Sequence, residues 1–382
     1  MKFQTTSTEL YLHLQVVAKV IDSKSANVLP VLDNILFEVE NGKLTLSAAD
    51  MNNRLTTQME IQNLGQTGSF MLQHRTLLDL LKDLPEQPVT LSVDTEANYK
   101  SKLEYSNGYF DFAAAEASSY PEDIYIGEDK TSVELDAASM LAGINATKFA
   151  AATDERRPIM TGVLMDFLED KLVYVASDGR YLVRYTDNNV QGGHVAQICV
   201  PATICNLLTG SLLPKENGSI RLSYTTQHLR VELSHFTLTA RLLDGKFPNY
   251  NSVIPPTSPF EVTVSREALL YGSKRVSNCA NRASKMILLL IKDNEITLQS
   301  KDLDLSISGE EKLPCSVNAA EHNIRIGFDS ELLGRILSSM SASEVTLSLA
   351  DQTRAAIIRP IEEAKGIETL SLLIPLKLLS DR

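Results

Sequence analysis

Three stretches of this chain alternate apolar and polar positions and then end in aspartate: LTLSAAD at 44–50, LVYVASD at 172–178 and ITLQSKD at 296–302. Sixteen residues before each aspartate another apolar run begins, so that NILFEVENGKLTLSAAD, GVLMDFLEDKLVYVASD and MILLLIKDNEITLQSKD align without a gap. Period-two alternation on both sides of a short polar stretch (ENGK, LEDK, KDNE) predicts a hairpin each time. Upstream of each hairpin lies a segment with helical spacing of apolar residues, at 7–21, 136–152 and 265–280. Downstream come a second helical segment (77–85, 204–214, 332–340) and another strand (89–92, 220–223, 345–348). Lead-in strands are expected at MKFQTT, at 133–137 and at 260–265.

The aspartates Asp50, Asp178 and Asp302 stand 128 and 124 residues apart. This is an internal repeat of domain size, in a chain of 382 residues that is too long for one ordinary core. Proline and small residues near 120 and at 254–259 mark joints, which divides the chain into 1–127, 128–255 and 256–382. Each unit has two helices and many strands, so its helices cover one sheet face, an α+β domain of two layers. Open strand edges invite pairing. Tandem units pair edges from one domain to the next, and closing the array into a ring removes the last two.

Composition narrows the function. The chain is 43% hydrophobic and 22% charged, as folded soluble domains are. No apolar run is long enough to span a membrane and the N-terminus does not read as a signal peptide, so a cytoplasmic location is expected. Cys199, Cys205, Cys279 and Cys315 have no metal-ligand spacing and are expected to be buried thiols, with no metal and no cofactor. Dinucleotide-binding, P-loop, metalloprotease and nucleophile-elbow motifs are absent, and the histidines are scattered. A non-catalytic role is expected. Asp302 and Asp304 in KDLDLS read as a turn rather than a cation site, and each repeated aspartate as a turn cap through its own side chain.

A net charge of −12 repels nucleic acid unless cations are segregated on one face. The stretch 266–285 carries Lys274, Arg275, Arg282 and Lys285, which share an arc of about 100° if the helix reaches that far. Further candidates are Lys24, Arg75, Lys82, Lys148, Arg156 and Arg157. Segregated cations of this kind track phosphates without reading bases, and with no tryptophan and few interleaved aromatics the target is duplex rather than single-stranded DNA. Two other readings stay open on these grounds: a repeat scaffold that binds proteins at its edges and never meets DNA, and an enzyme with an unrecognised cleft.

LPVLDNILFEV at 29–39, RRPIMTGVL at 156–164, VASDGRYLV at 175–183, LLDGKFPNYNSVIP at 242–255 and the terminal LLIPLKL together resemble the bacterial DNA polymerase III β subunit family, the sliding clamps, along essentially the whole chain. The resemblance implies a head-to-tail homodimer that encircles duplex DNA with helices inside. Its partners would be the replicative polymerase, clamp-loader subunits and other proteins carrying short peptides that enter an apolar pocket. Residue by residue, that pocket would comprise Met160, Ser177, Gly179, Arg180, Tyr181, Leu182, Pro248, Ser252, Val253, Thr353, Ala355, Leu372, Ile374, Pro375 and Leu376. The chain departs from the family pattern at Arg180, Tyr181 and Ser252, at Ala26, Ala202 and Thr203 where cations are usual, and in the four residues after Leu378.

Overall fold

The computed structural model of the chain describes residues 1–154, 156–190, 193–318 and 323–378; the terminal LSDR lies outside them. All three expected hairpins form, as Asn34–Glu40 with Lys43–Ala49, Gly162–Phe167 with Leu172–Ser177, and Met286–Lys292 with Glu295–Asp302. Their registers are equivalent: Leu36 faces Ser47, Leu164 faces Val175 and Leu288 faces Gln299.

The repeated aspartate works as a turn cap each time. One carboxylate oxygen accepts from the backbone N–H groups two and three residues on: Asn52 and Asn53 at Asp50 (both 2.7 Å), Arg180 and Tyr181 at Asp178 (2.7 and 3.1 Å), Asp304 and Leu305 at Asp302 (2.9 and 3.2 Å). These bonds satisfy donors that the reversing chain has taken out of the sheet. The third turn is two residues longer, since Ala49 faces Arg54 and Ser177 faces Leu182, whereas Lys301 faces Ser308.

Helices follow the lead-in strands at Ser7–Val17, Ala137–Thr147 and Arg266–Ser277. Each starts where a Thr or Asp or Ser side chain accepts from a first-turn N–H: Thr6 from Glu9, Asp136 from Ser139 and Ser265 from Ala268. The later helices are His74–Lys82, Ser330–Ser339 and, in the middle repeat, Ala202–Leu207 continued as a π-turn through Leu212. One further short helix, Ser23–Val28, was not expected; Asp22 caps it. The helix from Arg266 stops at Ser277, so Arg282 and Lys285 do not share its face. Asn278 closes it, and at Lys285 the backbone turns to φ +50°. Among the described residues no helix is long and apolar enough to cross a membrane.

The chain forms two compact units, each with its own extended sheet. The first unit (1–140 and 206–242) holds a five-stranded sheet and a nine-stranded one. The nine-stranded sheet is continuous because strand Asn53–Glu60, from the first repeat, pairs with Phe236–Arg241, from the second. The second unit (141–205 and 243–382) holds a twelve-stranded sheet, made continuous where Tyr181–Asp187 of the second repeat pairs with Ile367–Leu373 of the third. Edges thus pair from repeat to repeat, as the edge argument requires. In the second unit both strands of the hairpin 162–177 are buried on both faces, and Gly143 is needed on the adjoining helix because a Cβ there would lie 2.3 Å from the Tyr174 ring.

Candidate partner groove and cationic residues

The junction inside the second unit brings together most of the residues expected in a peptide pocket. Leu182 faces Leu372 across the pairing, and Leu372 in turn faces Ile357. This row of three apolar side chains continues into one buried cluster with Leu164, Val173, Val175, Cys199, Phe247, Tyr250 and Leu370. Ile159, Ile254 and Ala355 pack against it while remaining partly accessible. Val253 (53% exposed) and Ile374 (45% exposed), next in the chain to Ile254 and Leu373, are open to solvent, as are Pro248, Ser252, Gly179 and Thr353. Apolar side chains this open beside a buried apolar row form the kind of surface that a short peptide covers.

The rim is set by hydrogen bonds. The Ile374 N–H donates to the Arg180 carbonyl (3.0 Å), and the Leu376 N–H to the Gly327 carbonyl (2.8 Å), laying the C-terminal segment with Pro375 along the edge of strand Ile324–Asp329. Ser177 donates its hydroxyl to the Tyr181 carbonyl (2.8 Å) and accepts from the Gly179 N–H (3.1 Å). The Arg180 guanidinium is held by Asp178 (3.1 Å) and Asp329 (3.8 Å), and Ser252 donates to the Asn249 carbonyl (2.7 Å). Thr353 is tied to Asp351, whose carboxyl is held below its ordinary range first by the Thr353 hydroxyl. Beneath the rim the Tyr250 hydroxyl donates to buried Asp166 (2.7 Å); burial, then that carboxylate, pushes the phenol well above its ordinary value.

Two expected members do not join this surface. Tyr181 is 2% exposed and, being adjacent to Leu182 in a strand, points to the other sheet face, where it stacks on Phe149 (6.2 Å) and donates to the Phe149 carbonyl (2.7 Å). Met160 is buried outside the apolar cluster, and its neighbour Ile159 takes the place against it. Ile159, Phe247 and Tyr250 were missed, although Phe247 and Tyr250 lie in a motif already singled out.

The cations are less uniform than their sequence suggests. Lys24, Arg75, Lys82, Lys274 and Arg282 are exposed, whereas Lys148 is half-buried in the turn after its helix. Lys274 lies over the ring of Tyr271 (5.5 Å). Arg275 donates to Glu311 (2.9 Å), Lys285 pairs with Glu331 (2.7 Å) and Arg156 with Asp154 (2.7 Å). Arg157 donates to the Asp178 carbonyl (3.0 Å), beside the groove rim. Among the described residues no cluster of acids, histidines or thiols could hold a metal. Cys199 and Cys205 are buried, and burial pushes both thiols up to about 12; Cys279 and Cys315 are only half-buried.

Models for the N-terminal, central and C-terminal domains of the DNA polymerase III beta subunit match residues 1–123, 134–249 and 251–373. A beta sliding clamp of Pseudomonas putida is 25% identical over 380 residues, covering 99% of this chain and 100% of its own. Two solved structures share the fold: a sliding clamp from Bacillus subtilis (TM-score 0.91, 21% identity) and a sliding clamp from Pseudomonas aeruginosa bound to griselimycin (TM-score 0.91, 24% identity), each covering 99% of this chain and 100% of its own. With all three domain models matched in order over nearly its full length, the chain belongs to the DNA polymerase III beta subunit family, the sliding clamps.

Proposed function

We propose that two copies of this chain close head to tail into a ring that encircles duplex DNA and tethers the replicative polymerase, a processivity role in which no bond is made or broken. The observation that carries this is a row of strands that is complete twice and incomplete once. Leu46 faces Thr57, which faces Phe236; Tyr174 faces Tyr185, which faces Thr369. Among the described residues, in the third repeat Leu298 faces Glu311, whose strand is open on its other side in this segment, while Gly108–Ala113, the first-repeat counterpart of Phe236–Arg241, pairs with Lys100–Tyr105 and ends the five-stranded sheet with its outer edge open. Carrying the register over sets Glu311 against Gly108 of a second copy, Gly309 against Phe110 and Ile307 against Phe112. The pairing covers Ile307 and supplies the strand edges with partners.

On this reading the domains span 1–127, 128–255 and 256–382, and the protein works in the cytoplasm at the nucleoid. Lys24, Arg75, Lys82, Lys148, Lys274 and Arg282 supply phosphate contacts; Arg156, Arg275 and Arg157, engaged with Asp154, Glu311 and the 178 carbonyl, contribute less. The groove with Leu182, Leu372, Val253 and Ile374 takes clamp-binding peptides of the polymerase, the loader and other DNA-processing proteins. The test is retention on a nicked circular plasmid after loading by an active bacterial clamp loader with ATP, in salt that screens phosphate contacts. Retention on the circle with loss on linearisation is expected; failure on the circle, or retention on both forms, overturns the ring.

A further inference from the structure

The first unit contains the same junction as the groove, built from different side chains. Where the groove has the row Ser177, Leu182, Leu372, Ile357, the first junction has Ala49, Arg54, Thr239, Arg230. Where the groove has Val175, it has Ser47, since Leu36 faces Ser47 as Leu164 faces Val175. The segment corresponding to Phe247-Pro248 is Tyr120-Pro121, and it is pinned down. Arg54 donates to the Pro121 carbonyl (2.8 Å) and Arg230 to the Ile124 carbonyl (3.2 Å), with Asp123 near both guanidinium groups (3.7 and 3.5 Å).

An apolar peptide has little to bury there, because Leu36 and Tyr120 are already buried and only Ala117 and Pro121 are partly open among the aliphatic side chains of the lining. What remains between the sheet face and the pinned segment is an open cleft of about 660 Å³ with hydroxyls on its floor, among them Thr45, Thr56 and Ser69. Its one lining cation, Arg54, is buried and already engaged. Glu38, Glu116 and Glu122 also line it, are exposed, and have no ion pair among the described residues, and the ring of Tyr99 borders the same space. These acids do not converge as metal ligands would. The cleft therefore has net negative charge, hydrogen-bond acceptors and an aromatic face, and its lining cation is already engaged.

We propose that this cleft is a second docking site, for a basic extended segment of a partner protein, whose lysine or arginine side chains lie along the hydroxyl floor against Glu38, Glu116 and Glu122 and over Tyr99. Charge complementarity selects the occupant: the three glutamates repel nucleic acid and acidic peptides, and a long cationic side chain satisfies acids and aromatic ring together. The inference borrows from the proposed partner groove the idea that a repeat junction is a docking place, and its chemistry from the first unit alone.

The probe is a fluorescein-labelled hexalysine peptide, titrated with the full chain and followed by anisotropy. Saturable binding is expected, weakened about tenfold by Glu38→Gln/Glu116→Gln/Glu122→Gln. The control Asp170→Asn/Asp293→Asn/Glu362→Gln, which removes as much charge elsewhere, is expected to change it less than twofold. Equal weakening by the two variants, or binding that does not saturate, overturns the site and leaves only general attraction to an acidic protein. A bromoacetyl group on the peptide should label Ser69→Cys in preference to Asp293→Cys, and equal labelling counts against it. Plasmid retention and apolar-peptide binding should be unchanged in the first triple variant, so loss of the cleft and loss of the clamp reading are separate results.

Discussion

Replacing Ile307 by aspartate tests ring closure at its register. Ile307 is 39% exposed in a single copy, and the transferred register sets it against Phe112 of the second. Covering what is left of its side chain is worth about 1–2 kcal/mol on area grounds. Placing a carboxylate there without a partner costs about 1–2 kcal/mol more. A closed dimer has two identical seams, so each substitution counts twice, and the total of about 4–8 kcal/mol weakens the dimer about 10³- to 10⁶-fold. Sedimentation equilibrium near micromolar concentration should find the wild type dimeric and Ile307→Asp monomeric. The melting temperature of the single chain should hardly move, because the native side chain is already partly in water. Leu64→Asp, at a position 46% exposed and away from this strand, is the control. An unchanged dimer in Ile307→Asp, or equal loss in Leu64→Asp, refutes the register.

Val253→Asp and Ile374→Asp should each weaken a polymerase-derived clamp-binding peptide at least about tenfold by anisotropy with melting unchanged, since both side chains are exposed, whereas Leu372→Ala should cost about 2–5 kcal/mol of stability in denaturant titration. Asp50→Ala, Asp178→Ala and Asp302→Ala each strand two turn N–H donors, and each should lower stability by about 1–2 kcal/mol. His13, whose Nδ1 lies 2.7 Å from the Thr57 hydroxyl, has its pKa lowered from 6.5 by burial first and then by His235 and Lys215. Above about pH 6.5 both folded and unfolded chains are neutral there; below it the unfolded chain takes up the proton first, so stability falls with pH until the folded imidazole also titrates. His13→Gln should flatten that acid-side slope in thermal melts between pH 7.5 and 5.

What could be read from the sequence is what depends on short-range geometry. The aspartate turns were legible because one side chain and two N–H groups within three residues define them, and the hairpin registers because a gapless repeat must conserve them. The face of Tyr181 was also available, since strand neighbours cannot both enter one groove, yet resemblance carried Tyr181 in with Leu182. The end of the helix at Ser277 was harder: Asn278 keeps helical backbone angles, and only the turn through Lys285 reveals the stop. The longer third turn was hidden because Asp302 caps it as Asp50 and Asp178 cap theirs. Which cations are spent on carboxylates needed the fold, because Arg275 and Glu311 are 36 residues apart.

The repeat holds backbone pairing constant while letting side chains at equivalent junctions diverge, and that has a mechanical consequence. Arg54 and Arg230 fix the first junction through carbonyls and Asp123, and the row Leu182, Leu372, Ile357 fixes the second through apolar burial. Both junctions also join strands of one chain, so a separated pair meets again at the effective concentration its tether allows. In the proposed ring the seam between copies would have neither advantage: on the transferred register Glu311 would meet a glycine, Gly309 would offer no side chain to Phe110, and nothing covalent would limit separation. Under strain the molecule should therefore open between copies before it opens within one. A ring that must admit DNA without unfolding needs that order of strengths, and local substitutions at Ile307 or Phe112 can change it without disturbing either internal junction.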